Sequence, residues 1–210
     1  RRQLREDVMR YLTVLIEDLS IDVWPRTRGE RVLSVTALER TLRVERKTSS
    51  AEGEVREADD VADSSQHLVI LAGPGAGKTW LARRIACRAA DRASGELQHG
   101  AQLDNVEIPL LLTCEQFRTA PGSARDAAVT PAIDSVSDLG SGVGQRLKSF
   151  LLERDDSVLL ILDSLDEATT GRRDIDQVLI GSWRTALTSR PASWQQQWGR
   201  HMRQLVGTAT

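Results

Sequence analysis

The stretch Ala72-Gly73-Pro74-Gly75-Ala76-Gly77-Lys78-Thr79 carries the residue types that hold phosphate. Glycine backbones can curl so that successive N–H groups face one anion, a path that a Cβ would obstruct. A helix starting at the lysine would add the positive end of its dipole. Lys78 supplies a mobile point charge for the β- and γ-phosphates, and the Thr79 hydroxyl suits Mg²⁺. The stretch fits the P-loop pattern with Ala72 in place of the first glycine. Gly73, Pro74, Gly75, Ala76, Gly77, Lys78, Thr79 and Trp80 are therefore the candidate nucleotide contacts.

Two further stretches fit the same chemistry. Leu159-Leu160-Ile161-Leu162-Asp163 reads as a buried strand ending in an acid. Such an acid beside a phosphate loop holds Mg²⁺ through water, which makes Thr79 and Asp163 the candidate metal ligands. Asp166 and Glu167 follow, and either carboxylate could orient and deprotonate an attacking water. AAA+ and ABC ATPases place a glutamate directly after the strand aspartate, whereas Ser164 stands there in this chain. The base is thus Asp166 or Glu167, between which the sequence does not decide. Thr185–Pro191 reads as a short strand ending in Thr188-Ser189-Arg190. Arg190 would sense a γ-phosphate by charge-assisted hydrogen bonds, and Pro191 stops the strand from continuing. Leu139–Arg146 is similar to the ABC transporter signature, but it has an inserted residue and reads as a loop entering a helix.

These residues need a scaffold that brings strand ends together. His67–Ala72, Val106–Thr113, Ser157–Leu162 and Arg184–Thr188 read as strands, with Gln204–Thr208 a candidate fifth. The first three carry the apolar runs that suit strands buried on both faces. Helices are expected over Gln3–Leu19, Thr79–Arg92, Val143–Glu153 and Ser193–Met202. The first is set by apolar residues at Leu4, Val8, Leu12, Leu15, Ile16 and Leu19. Arg31–Lys47 reads as a strand and an irregular stretch. Thr48–Gln66 reads as an acidic linker, and Thr119–Gly142 as a mobile surface loop. Strands alternating with helices imply an α/β domain with a parallel sheet. The expected layout is an N-terminal helix and linker region over 1–48, a polar linker over 49–65 and a nucleotide-binding core over 66–210.

The three motifs in order, Gly73–Thr79, Leu162–Ala168 and Leu187–Pro191, resemble those of the NACHT family of STAND NTPases. Members carry a small residue after the strand aspartate, here Ser164, then an acidic pair, here Asp166 and Glu167. They also carry Thr-Ser-Arg-Pro on the sensor strand, here Thr188–Pro191. The resemblance spans about Gln66–Pro191, and Ile108–Leu112 is similar to the strand that follows the first helix in these proteins. It implies an α/β P-loop NTPase of the ASCE/STAND type: a parallel sheet flanked by helices, preceded here by an N-terminal helical and extended segment. It further implies ATP or ADP with Mg²⁺ as cofactors and slow hydrolysis. The activated protein would form homo-oligomers and drive an attached effector, as in antiphage defence or innate immunity. Helical, winged-helix and sensor regions would follow the core, and an N-terminal effector would precede it. ATP is preferred to GTP because no Asn-Lys-x-Asp motif occurs.

Composition agrees with a soluble switch. Charged residues make up 28% of the 210 residues and nearly balance, giving a formal net charge of −2. No bulk nucleic-acid or anionic-membrane binding is expected from that balance, and no apolar run reaches the roughly 18–20 residues of a span. Cys87 and Cys114 lie far apart without metal spacing and read as inert thiols in a reducing cytoplasm. The chain starts without Met and is expected to be a piece of something longer. Two other readings remain: a housekeeping ATPase of AAA+ type, against which Ser164 argues, and an oligomerisation scaffold that holds nucleotide without hydrolysing it.

Overall fold

The computed structural model describes residues 1–22, 33–34, 43–45, 55–57, 63, 65–167, 177 and 182–194. Its centre is a four-stranded sheet. β5 (His67–Leu71), β6 (Ile108–Thr113), β7 (Val158–Asp163) and β8 (Arg184–Ser189) lie in the order β5-β8-β7-β6, all parallel. β8, last in sequence of the four, is thus inserted between the P-loop strand and the strand that ends in Asp163. The register pairs Leu71 with Ser189 and Thr113 with Asp163. All the C-terminal strand ends therefore share one edge of the sheet, where parallel sheets present their ligand crevice. Every residue of β7 is buried, as a central strand covered on both faces requires.

Helix α2 (Lys78–Gln98) follows β5 and runs two turns past the expected end at Arg92. Ala86, Ala89, Ala90, Ala93 and Leu97 continue one buried stripe past that point. The helix closes at Gly100, whose φ of +93° lets the main chain turn back while Ala101 N–H donates to Glu96 O. Small side chains on this stripe let the helix lie close against the sheet.

The expected loop over Thr119–Gly142 is instead mostly helical. After the short helix α3 (Cys114–Thr119) comes α4 (Ala124–Asp134), and after a turn α5 (Ser141–Leu152). Capping decides this. The Ser123 side chain accepts from Asp126 N–H while the Asp126 carboxylate accepts from Ser123 N–H, a reciprocal box that starts α4. Ala127, Ala128, Val129, Ala132 and Ile133 are then buried. The stripe is built mostly of alanine, so its periodicity is weak in sequence, and Pro131 masks it further.

Helix α1 (Arg2–Ser20) matches the expected element and belongs to the same core. Val8, Leu12, Leu15 and Leu19 are buried, each worth roughly 1.5–3 kcal/mol before ordering costs. Its polar contacts are long-range. Arg5 donates to the Leu97 and Ala101 carbonyls at the end of α2. Arg146 of α5 grips buried Asp7 through Nε at 2.6 Å and Nη2 at 2.9 Å. The Tyr11 hydroxyl, fully buried, donates to Pro109 O at 2.7 Å. β6 is an edge strand among the described residues, so Pro109 can sit in it without removing a ladder bond. Tyr11 takes up the carbonyl this edge leaves over.

Four short strands complete the description. β1 (Ile21–Asp22) pairs antiparallel with β2 (Leu33–Ser34), and β3 (Arg43–Glu45) with β4 (Val55–Glu57). Part of the stretch read as a linker is therefore strand. Residue 63 apart, the remainder of 23–64, most of the expected helix over Ser193–Met202 and the candidate strand over Gln204–Thr208 lie outside the described residues.

Candidate functional site

The phosphate loop leaves β5 at Ala72, whose N–H donates to Ser189 O at 3.1 Å. The loop therefore starts hydrogen-bonded to the end of β8. Gly73 through Ala76 are exposed, and a Cβ built on Gly73, Gly75 or Gly77 would meet nothing within 4 Å. The glycines thus border open space that an anion can enter. Gly75 and Gly77 have φ of +71° and +86°, a left-handed backbone that side chains disfavour. α2 begins at Lys78, and the first N–H groups of any helix lack acceptors within it. Among the described residues Lys78 Nζ reaches only the Ala72 and Gly73 carbonyls, each at a long 3.4 Å. Such weak contacts leave the ammonium free to turn toward phosphate. The indole ring of Trp80 packs at the core margin under the Arg84 guanidinium, 5.3 Å from the ring centroid. Its buried Nε1 has no partner among the described residues.

Thr79 and Asp163 lie on one cleft of about 280 Å³, which α1 walls with Leu15, Asp18 and Leu19. Asp163 is 7% exposed and is oriented by a buried relay. Ser164 N–H donates to Thr188 Oγ1 at 2.9 Å, and that hydroxyl donates to Asp163 Oδ1 at 2.5 Å. A hydroxyl has one hydrogen to give and an ionised carboxylate only accepts, so that hydrogen is directed at Asp163. The relay leaves Asp163 Oδ2 for a cation. Among the described residues no cluster of three or more His, Cys, Asp or Glu could hold a metal. A cation here would therefore share its shell with phosphate oxygens and water, as Mg²⁺ does. The donor set fits a nucleotide with a hard divalent ion.

Thr188 was not among the candidates read from sequence. Its sequence signal is its place at the head of the Thr188-Ser189-Arg190-Pro191 stretch, near the end of the strand. Ser164 is also informative in structure. Its φ of +60° turns the chain sharply after β7, and the 3₁₀ turn Leu165–Glu167 follows. A left-handed backbone disfavours large or branched side chains, which accounts for the small residue at this position. The turn places the two acids differently. Asp166 Oδ1 accepts from Arg190 N–H at 3.0 Å, and its Oδ2 lies 2.7 Å from Arg190 Nε. Glu167 is exposed, and no described residue bonds to its carboxylate. Arg190 follows the end of β8 directly and is itself exposed.

Gly-rich loop, strand acid and the arginine after β8 thus meet at the strand C-termini of a parallel sheet flanked by helices, which is the architecture of a P-loop NTPase. The family model of the NACHT domain matches residues 67–207, and the chain belongs to that family. A search of curated proteins found no match to the chain. Membership makes this a nucleotide-binding NTPase domain. Among the described residues no helix is long and apolar enough to cross a membrane.

Proposed function

We propose that the domain is the nucleotide-binding switch of a NACHT/STAND signalling ATPase, which binds ATP and ADP with Mg²⁺ and hydrolyses ATP slowly. The observation that carries the reading is the meeting of Lys78, Thr79, Asp163 and Arg190 at one sheet edge. Lys78 and the loop N–H groups bind the phosphates, while Thr79 and Asp163 hold the cation. A Mg²⁺ ion held by Thr79 and Asp163 would supply positive charge to offset the negative charge of the phosphates. Glu167 orients the attacking water and takes its proton, because Asp166 is already committed through both oxygens to Arg190. Arg190 reads the γ-phosphate. In the whole protein, ATP binding would drive homo-oligomerisation and engage an effector, in the manner of antiphage or innate immune defence. Helical, winged-helix and sensor segments would complete the nucleotide clamp. Two buried cysteines outside any disulfide suit a reducing cytoplasm.

Calorimetric titration with ATP and with ADP, each with and without Mg²⁺, tests the reading. Lys78→Ala removes a charged hydrogen-bond donor worth about 1.5–3 kcal/mol. That corresponds to a rise in Kd of roughly 10- to 150-fold. Unchanged affinity in a folded Lys78→Ala variant would remove the cradle from the argument. Binding without any turnover, unaffected by Glu167→Gln, would favour a nucleotide-holding scaffold instead.

A further inference from the structure

The contact between Asp166 and Arg190 has a specific geometry. Asp166 sits in the 3₁₀ turn after β7, and its side chain is 3% exposed. One carboxylate oxygen accepts the Arg190 main-chain N–H, and the other lies against Nε of the same residue. Main chain and side chain of Arg190 are thus held by a single buried carboxylate. The guanidinium has five N–H donors in a rigid plane, of which Nε uses one. Its side chain remains 47% exposed, and no described residue bonds to either terminal nitrogen. Arg190 is therefore fixed at its root, with a planar two-nitrogen fork available beside the phosphate loop. A fork so held matches two oxygens of one phosphate and loses little rotamer freedom on binding.

We infer that Asp166 is a positioning residue, which orients Arg190 toward the γ-phosphate and thereby sets the preference for ATP over ADP. The inference rests on the proposed nucleotide-switch reading and deepens it. Asp166 acts only through Arg190, so its effect belongs to the triphosphate. ADP, which lacks the third phosphate, is bound by the loop and Lys78 without its help.

The test compares Kd for ADP and for a non-hydrolysable ATP analogue, with Mg²⁺, in the wild type, Asp166→Asn, Arg190→Ala and the double variant. Asn at 166 keeps an oxygen for the Arg190 N–H and removes the charge that holds Nε. The expected result is about a tenfold weakening for the ATP analogue, with ADP affinity unchanged. Asp166→Asn should add nothing further in the Arg190→Ala background. Arg190→Lys is exposed, keeps the charge and loses the fork, so it should lower the ATP preference without touching the buried carboxylate. Four results would overturn the inference. Tighter ATP-analogue binding by Asp166→Asn would mean that the carboxylate competes with phosphate for the arginine. Equal loss for both nucleotides would mean a merely structural acid. Lost turnover with an unchanged Kd ratio would make Asp166 the base. A wild-type chain that binds neither nucleotide would remove the underlying reading as well.

Discussion

Thr188→Val is the substitution whose consequences the geometry defines most closely. Valine has nearly the shape of threonine, so no cavity opens at this fully buried position. Two hydrogen bonds vanish together. The one to Asp163, at 2.5 Å, involves a charged acceptor and is worth about 1.5–3 kcal/mol. The one from Ser164 N–H, at 2.9 Å, is an ordinary bond worth about 1 kcal/mol. Asp163 borders the 280 Å³ cleft, where water can replace part of the first loss. The net destabilisation should be about 2–3 kcal/mol, or roughly 5–10 °C in Tm for a domain of this size. It is read by urea unfolding in the absence of nucleotide. Asp163 would also lose its fixed orientation, so Mg²⁺ should add less to nucleotide affinity than in the wild type. Thr188→Ser restores the hydroxyl and should recover most of the Mg²⁺ effect. A Thr188→Val protein with a loss under about 0.5 kcal/mol and an undiminished Mg²⁺ contribution would refute the relay.

Two further outcomes follow from α1. Tyr11→Phe leaves the buried Pro109 carbonyl without its donor and should cost about 1–2 kcal/mol in urea unfolding; a neutral result would mean that water reaches this edge. The Arg146 guanidinium bonded to Asp7 holds that carboxyl below the usual carboxylate range. A depressed folded-state pKa contributes stability that is present above the unfolded value, about 3.9, and is lost as pH falls through the lower folded value. Unfolding measured from pH 7 down to 2 should therefore show a difference between wild type and Asp7→Asn that shrinks below about pH 4. A difference that stays constant across this range would mean that the pair contributes no proton linkage.

The sequence alone carried the chemistry. A phosphate loop must be read from glycines and a lysine because backbone curvature and charge are local properties, and Gly73–Thr79 announced both. Apolar runs announced β5, β6 and β7, since strands buried within a sheet leave no polar alternation, whereas β8 carries only Ala186 and Leu187 between polar residues. The weak stripe of α4 did not register, because alanines bury little area each and its start depends on a reciprocal cap at Ser123 and Asp126. Strand order lay beyond reach for another reason: nothing in β8 itself says that it enters between β5 and β7. That insertion is a matter of tertiary pairing, and it decides the site. It sets Thr188 against Asp163 across twenty-five positions of chain and Arg190 against Asp166 across twenty-four. From sequence Asp166 and Glu167 were equivalent acids. The left-handed turn at Ser164 and the neighbouring end of β8 make one the partner of the arginine and leave the other facing solvent, because a carboxylate's role depends on which donors reach it in space.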